Sequence, residues 1–200
     1  MTAGVALALV GCASSGYEKG SQAAAERIAA MPGRINATLT ALDDLIQRPQ
    51  SDLRPQFKGF GSQLADLESS AQDISSARHN MGAQGKEFFA KWDEQLAGIQ
   101  NEDIKARSQS RKDEVAAKLQ AIKLSYSEAA GVFKPFLADL KDVQKYLSVD
   151  LTASGVASIK DTAAKASQDA GPLKASLSKV AVDFKNLGVA MSAVTPAPAK

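Results

Sequence analysis

The chain has few of the side chains from which catalytic and metal sites are usually built. His79 is its only histidine and Cys12 its only cysteine. One imidazole per monomer excludes a zinc site made of several histidines and a di-iron bundle, which needs a Glu-x-x-His motif on two helices. Cys12 has no second cysteine with which to form an internal disulfide or share a metal. We therefore expect no metal site and no cofactor.

Net charge is also small. The 24 basic and 22 acidic residues leave a formal charge of +2, without the strongly basic character of nucleic-acid-binding proteins. Carboxylates such as Asp93-Glu94 and Asp113-Glu114 are adjacent in sequence, and neighbours on a helix point about 100° apart, so they do not form a dyad that shares a proton. We expect neither nucleic-acid binding nor enzymatic activity.

No apolar run is long enough to cross a membrane, but a short one precedes Cys12. Residues 4–10 read GVALALV, about the length of the apolar region of a secretory signal. The tetrad Leu9-Val10-Gly11-Cys12 that ends this run resembles the bacterial lipobox. The resemblance implies cleavage before Cys12 and acylation of its thiol. The alternative is a chance apolar N-terminus with a buried thiol.

The lipobox resemblance also implies a location. Among such lipoproteins, an aspartate after the cysteine commonly marks retention in the inner membrane, whereas Ala13 follows Cys12 here. The absence of that aspartate implies a location at the periplasmic face of the bacterial outer membrane. Several acyl chains on one cysteine would give stable anchoring there.

These features divide the chain into four parts. Residues 1–11 are the expected signal peptide and residues 12–21 a small, polar, lipidated tether. Residues 22–194 form one helical domain, since 200 residues do not require two. Residues 195–200, TPAPAK, are the expected disordered tail.

Apolar residues recur in alternating steps of three and four, which predicts amphipathic helices packed along heptad seams. The most regular stripe consists of Val115, Leu119, Ile122, Tyr126, Ala129, Phe133, Phe136, Leu140, Val143 and Leu147. Similar stripes cover residues 28–46, 53–99 and 156–194. Because the connections between them are short, successive helices must be antiparallel. The sequence predicts an all-α fold, an elongated antiparallel bundle of three to four long helices with coiled-coil-like packing.

Prolines and capping residues predict where these helices bend and begin. We expect Pro32-Gly33 to bend or break the first helix. Pro135 and Pro172 should kink the third and fourth helices without ending them. Ser51 and Asn101 are the expected N-caps of the second and third helices.

A basic cluster at the start of the third helix is one candidate interaction surface. Lys105, Arg107, Arg111 and Lys112 fall within eight residues. Such a cluster suits anionic lipid head groups or an acidic partner. The acidic residues interleaved with it favour an ordinary solvated helix face as the alternative.

The aromatic residues of the second helix offer another candidate surface. Phe88 and Trp92 are four residues apart and share a helix face, which predicts that they lie in the core. Phe89 points aside and is the aromatic residue most available to a partner or a lipid.

Several segments together resemble a bacterial lipoprotein family known as domain of unknown function 2959. They are FFAKWDEQL at 88–96, IQNED at 99–103, FKPFLADLKDVQKYLSVDL at 133–151 and ASGVASI at 153–159. The resemblance extends over about residues 17–191, and the lipobox that precedes this range matches the family as well. It implies a secreted, lipidated, helix-rich protein and no established activity.

The leading functional hypothesis is a non-enzymatic, lipid-anchored periplasmic lipoprotein with a structural or adaptor role toward an envelope protein whose identity the sequence does not give. The alternative is a lipid- or amphiphile-binding bundle that opens at Pro135 and Pro172. A hydrolase is disfavoured because no paired acid and base are present.

Overall fold

Five helices make up the chain that the structure describes. A computed structural model describes residues 6–191, with side chains from residue 16 onward. The helices are α1 (Ala6–Gln47), α2 (Arg54–Ala97), α3 (Glu102–Val149), α4 (Ala153–Ser158) and α5 (Lys160–Met191). Residues 6–191 contain no strand, and the predicted all-α fold is confirmed.

The four long helices form an antiparallel bundle. α1 packs closely along α2 and α5, and α5 packs along α3. α2 and α3 complete the ring but approach each other least closely. Helices of 42 to 48 residues, as α1 to α3 are, are roughly 60–70 Å long. The predicted elongated bundle is therefore confirmed.

The heptad stripes form the core of this bundle. In the last stripe, every apolar residue predicted between residues 156 and 191 is buried; its final member, Val194, lies outside the described residues. Phe60 of α2 and Phe136 of α3 are the largest fully buried side chains. The periodicity thus identified the core face of each helix.

The first helix begins earlier than the sequence predicts. It includes residues 12–21, and Tyr17 and Ser21 are only 3% and 0% exposed. Ser21 Oγ donates a hydrogen bond of 2.6 Å to the carbonyl oxygen of Phe184 in α5. From Tyr17 onward the segment predicted as a polar tether is instead a packed part of α1, because the Tyr17 ring stacks on Phe88 of α2 and Ser21 is bonded to α5. The predicted signal peptide and disordered tail stay predictions.

Some of the predicted helix boundaries are corrected as well. α1 continues through Pro32 without a break. α2 is preceded by Leu53, which makes no capping hydrogen bond through its side chain, so Ser51 is not the N-cap. Asn101 is confirmed as the cap of α3, since its Oδ1 accepts hydrogen bonds of 3.1 Å from the amides of Asp103 and Ile104.

A buried glutamine closes the connection between α1 and α2. The Gln56 side-chain amide donates to the carboxylate of Asp44 at 2.7 Å and to the carbonyl oxygen of Arg48 at 3.0 Å. Its oxygen accepts a hydrogen bond of 3.0 Å from the amide of Gln50. One side chain thereby satisfies the carbonyl oxygens of Asp44 and Arg48 at the end of α1.

Candidate functional site

The beginning of α1 lies at the end of the bundle where α2 and α3 are connected. The Tyr17 ring stacks on Phe88 of α2 with a centroid separation of 5.9 Å. On the other side, Gly188 of α5 packs against Glu18 and Gln22. These contacts fix the register of α1 against both of its neighbours.

The residues of the predicted lipobox belong to the first turns of α1. Cys12 precedes Tyr17 by five residues, which corresponds to about 7.5 Å along a helix. Residues 9–12 precede residue 16, where the description of side chains begins. The predictions for Leu9, Val10, Gly11 and Cys12 therefore lie outside the described side chains.

Part of the basic cluster lies near the level of Cys12. The Arg111 guanidinium of α3 donates a hydrogen bond to the carbonyl oxygen of Ala190 in α5. Because α1 and α3 are both antiparallel to α5, they are parallel to each other, and the α5 contacts bring Arg111 near the level of Gly16. Arg107 lies four residues before Arg111, which is about one helical turn, so it is within about a turn of the level of Cys12.

The structure separates the four predicted basic residues by their contacts. Lys112 is paired with Asp93 across the α2–α3 seam, and its side chain is only 17% exposed, so it is not part of an open surface. Arg111 is paired with Glu114 at 2.9 Å. Lys105 lies 3.8 Å from a carboxylate of the first turn of α3. Arg107 is exposed and forms no ion pair with the described side chains.

The aromatic cluster differs from the prediction. Phe88 is buried as expected, but Phe89 and Trp92 are both half-buried and stack on each other with planes 7° apart. Trp92 Nε1 donates a hydrogen bond of 2.9 Å to Ser108 Oγ in α3. This bond holds the indole along the α2–α3 seam, where it covers Phe89. Phe89 therefore keeps part of its ring exposed, and its contact with a partner or a lipid stays a prediction.

Two residues of this end were not identified from the sequence. Ile104, in the first turn of α3, is 54% exposed. Tyr17 is buried, and its hydroxyl group has no hydrogen-bond partner among the described residues. Burial raises the pKa of Tyr17 to about 12. The small and polar composition around Tyr17 concealed it, although its spacing from Ser21 and Ile28 is helical.

The described residues bring together no further chemical centre. Residues 16–191 contain no group of three His, Cys, Asp or Glu side chains arranged to hold a metal ion. His79 is exposed. Within the described part of the chain, no helix combines the length and the apolar character needed to span a membrane.

The fold is an all-α, up-down-up-down bundle of four long helices. A family model described as "Protein of unknown function (DUF2959)" matches residues 20–186, and the chain belongs to this family. No curated protein and no solved structure matches the chain.

Proposed function

We propose that this protein is a lipid-anchored lipoprotein of the bacterial cell envelope, held at the periplasmic face of the outer membrane through acylated Cys12. The bundle has a structural or adaptor role toward an envelope protein and no enzymatic activity. The observation that carries the proposal is the Leu9-Val10-Gly11-Cys12 sequence, whose Cys12 lies five residues before Tyr17, the first buried residue among the described side chains. Residues 13–16 alone separate the two, so the bundle of an anchored protein stands close to the membrane.

The residues around the α2–α3 connection support this arrangement. Lys105 and Arg107 add positive charge near the level of Cys12, and Ile104 exposes an apolar side chain beside them. Cations and a neighbouring apolar side chain suit the head-group region of an anionic leaflet. About six residues separate Arg107 from this connection, roughly 9 Å of helix, so the connection would reach the head groups of a membrane that holds Cys12.

The anchor is tested by the intact mass and membrane partition of the protein purified from its own host. Wild type is expected to lack residues 1–11, to carry added acyl chains and to stay with the membrane fraction. Cys12→Ala is expected to leave that fraction, whereas the neighbouring control Ser14→Ala keeps both the acylation and the partition. An unmodified, full-length mass for wild type overturns the proposal.

The location is tested by a change at the residue after the cysteine. Ala13→Asp introduces the residue that commonly marks retention in the inner membrane, so a sucrose gradient should show the variant with inner-membrane markers and wild type with outer-membrane markers. Ala13→Ser is the control and should follow wild type. If wild type and Ala13→Asp are both found in the inner membrane, the outer-membrane assignment is wrong while the anchor itself is retained.

A further inference from the structure

α2 and α3 leave an apolar space between them near the middle of the bundle. They are the least closely packed of the neighbouring long helices, and a cavity of about 70 Å³ lies at their seam. Ala71 of α2 and Ala129 and Ala130 of α3 line it, beside larger side chains such as Met31 and Phe133. Alanines fill a seam only when two helices approach closely. Because these two do not, the space is left open.

The wall of this cavity is almost entirely hydrocarbon. All four long helices contribute to it, and Tyr126 supplies the only hydroxyl group among its lining side chains. A buried water needs two to four polar partners, which this wall does not offer. An engineered apolar cavity of about 150 Å³ binds benzene, so the present space, about half as large, is sized for a few methylene groups.

Three of the four long helices carry an interior proline. These are Pro32 in α1, Pro135 in α3 and Pro172 in α5. Each proline lacks an amide hydrogen and removes one hydrogen bond within its helix. Met31 and Phe133, which line the cavity, lie one and two residues before the first two prolines.

Contacts between helices bring the three prolines to one level of the bundle. Lys174 of α5 donates to Asn36 Oδ1 of α1 at 2.8 Å, close to the proline of each helix. Lys165 of α5 donates to Asp139 of α3 at 2.7 Å. The register fixed by these bonds puts the prolines within about two helical turns of one another, next to the cavity. Three helices are thus weakened at the level where the seam is already open.

Two cations flank the seam beside the cavity. The Arg78 guanidinium carbon lies 5.0 Å from the centroid of the Tyr126 ring, which lines the cavity. Lys134 follows Ala130 by four residues and shares its face of α3. Among the described side chains, neither cation forms an ion pair. Both charges are therefore available to an anionic group at the seam.

We propose that this cavity receives the alkyl chain of a free fatty acid, whose carboxylate is bound at the seam by Arg78 and Lys134. The hydrocarbon wall selects the chain, and the small volume favours one chain over the two of a diacyl lipid. Charge-assisted hydrogen bonds select the anionic head group. Because the resting space holds only part of the chain, the seam widens on binding through bending at the prolines. The site does not depend on acylation of Cys12.

The site is tested with the full chain carrying Cys12→Ser, so that no covalent lipid competes for the cavity. Binding of lauric acid is measured by isothermal titration calorimetry. Ala129→Leu fills the space and should weaken binding at least about tenfold, a change of one decade in the dissociation constant. Ala117→Leu, on the exposed side of α3, is the matched control and should bind like the parent. Circular dichroism checks the fold of each variant.

A second filling variant and a head-group variant complete the test. Ala71→Leu fills the cavity from α2 and decides the outcome if Ala129→Leu does not fold. Arg78→Gln combined with Lys134→Gln should lower the affinity for laurate about tenfold and leave the affinity for the uncharged dodecanol unchanged. Unaltered laurate binding in both filled variants overturns the site. Binding to diacyl phospholipid vesicles without binding to laurate overturns the choice of ligand.

Discussion

The ring of Tyr17 stacks on the ring of Phe88, with centroids 5.9 Å apart and planes inclined by only 13°. This pair joins the start of α1 to α2 and makes residue 17 part of the core. The Tyr17 hydroxyl group is placed against Gly85, where an added Cβ would lie 3.1 Å from it. There it is shielded from water without a hydrogen-bond partner among the described residues.

The unsatisfied hydroxyl group gives the first prediction. Tyr17→Phe keeps the stacked ring and removes the buried polar atom, so it should raise the free energy of unfolding by about 1 kcal/mol. Tyr17→Ala loses the ring and should lower it by about 3–5 kcal/mol. Urea denaturation measures both. Tyr146→Phe, at a side chain that is 41% exposed, is the control and should change little. A less stable Tyr17→Phe protein would mean that the hydroxyl group has a partner.

The same hydroxyl group makes stability depend on pH in the alkaline range. Burial raises the pKa of Tyr17 from 10.0 to about 12, so the folded protein keeps a proton that the unfolded chain loses above pH 10. The free energy of unfolding of wild type is therefore constant with respect to this group below pH 10 and falls as the pH rises toward 12, where burial opposes ionisation of the phenol. The difference in unfolding free energy between wild type and Tyr17→Phe should therefore grow over this range, by about 2 kcal/mol. A constant difference would show an ordinary tyrosine pKa.

The N-terminus of α3 provides a test of capping. Asn101 accepts hydrogen bonds from two backbone amides, so Asn101→Ala should lower the free energy of unfolding by about 1 kcal/mol. Ser51, which the sequence suggested as the equivalent cap of α2, makes no such bond, and Ser51→Ala should stay within about 0.5 kcal/mol of wild type. Equal losses at both positions would contradict the helix boundary observed for α2.

Gly155 in α4 is predicted not to tolerate a side chain. A Cβ at this position would clash with the carbonyl oxygen of Asp150, so Gly155→Ala must displace the backbone and should destabilise by about 1–3 kcal/mol. Gly59, in α2, has nothing within 4 Å of the equivalent position. Gly59→Ala should instead stabilise by about 0.5–1 kcal/mol. Thermal unfolding of the two variants should move in opposite directions.

Sequence periodicity predicted which residues face the core but not how near the next helix lies. Leu119, Tyr126 and Phe133 belong to the regular stripe of α3, yet they are only half-buried. They face α2, and the repeat of a single helix carries no information on the width of that seam. The cavity beside Tyr126 and Phe133 was unpredictable for the same reason.

Composition was misleading where small residues serve packing. The segment before Ser21 has the alanine, serine and glycine content of a linker, but it is part of α1, where Tyr17 stacks on Phe88 of α2 and the backbone at Glu18 lies close to Gly188 of α5. Ile159 separates α4 from α5, although the apolar stripe runs through it without interruption. Both outcomes depend on contacts between distant parts of the chain, which override local propensity.

The proposed orientation, with the start of α1 and the α2–α3 connection toward the membrane, gives the last prediction. The full chain with Cys12→Ser, floated with vesicles rich in anionic phospholipid, should bind weakly and less at high salt, because head-group attraction is screened. Lys105→Gln with Arg107→Gln should weaken this binding by about 1 kcal/mol for each charge removed. Lys145→Gln with Lys160→Gln removes the same charge from the opposite end of the bundle and should have little effect. Equal losses of binding from the two double substitutions would mean that net charge directs the protein to the membrane, and not the charges at the end where α1 starts.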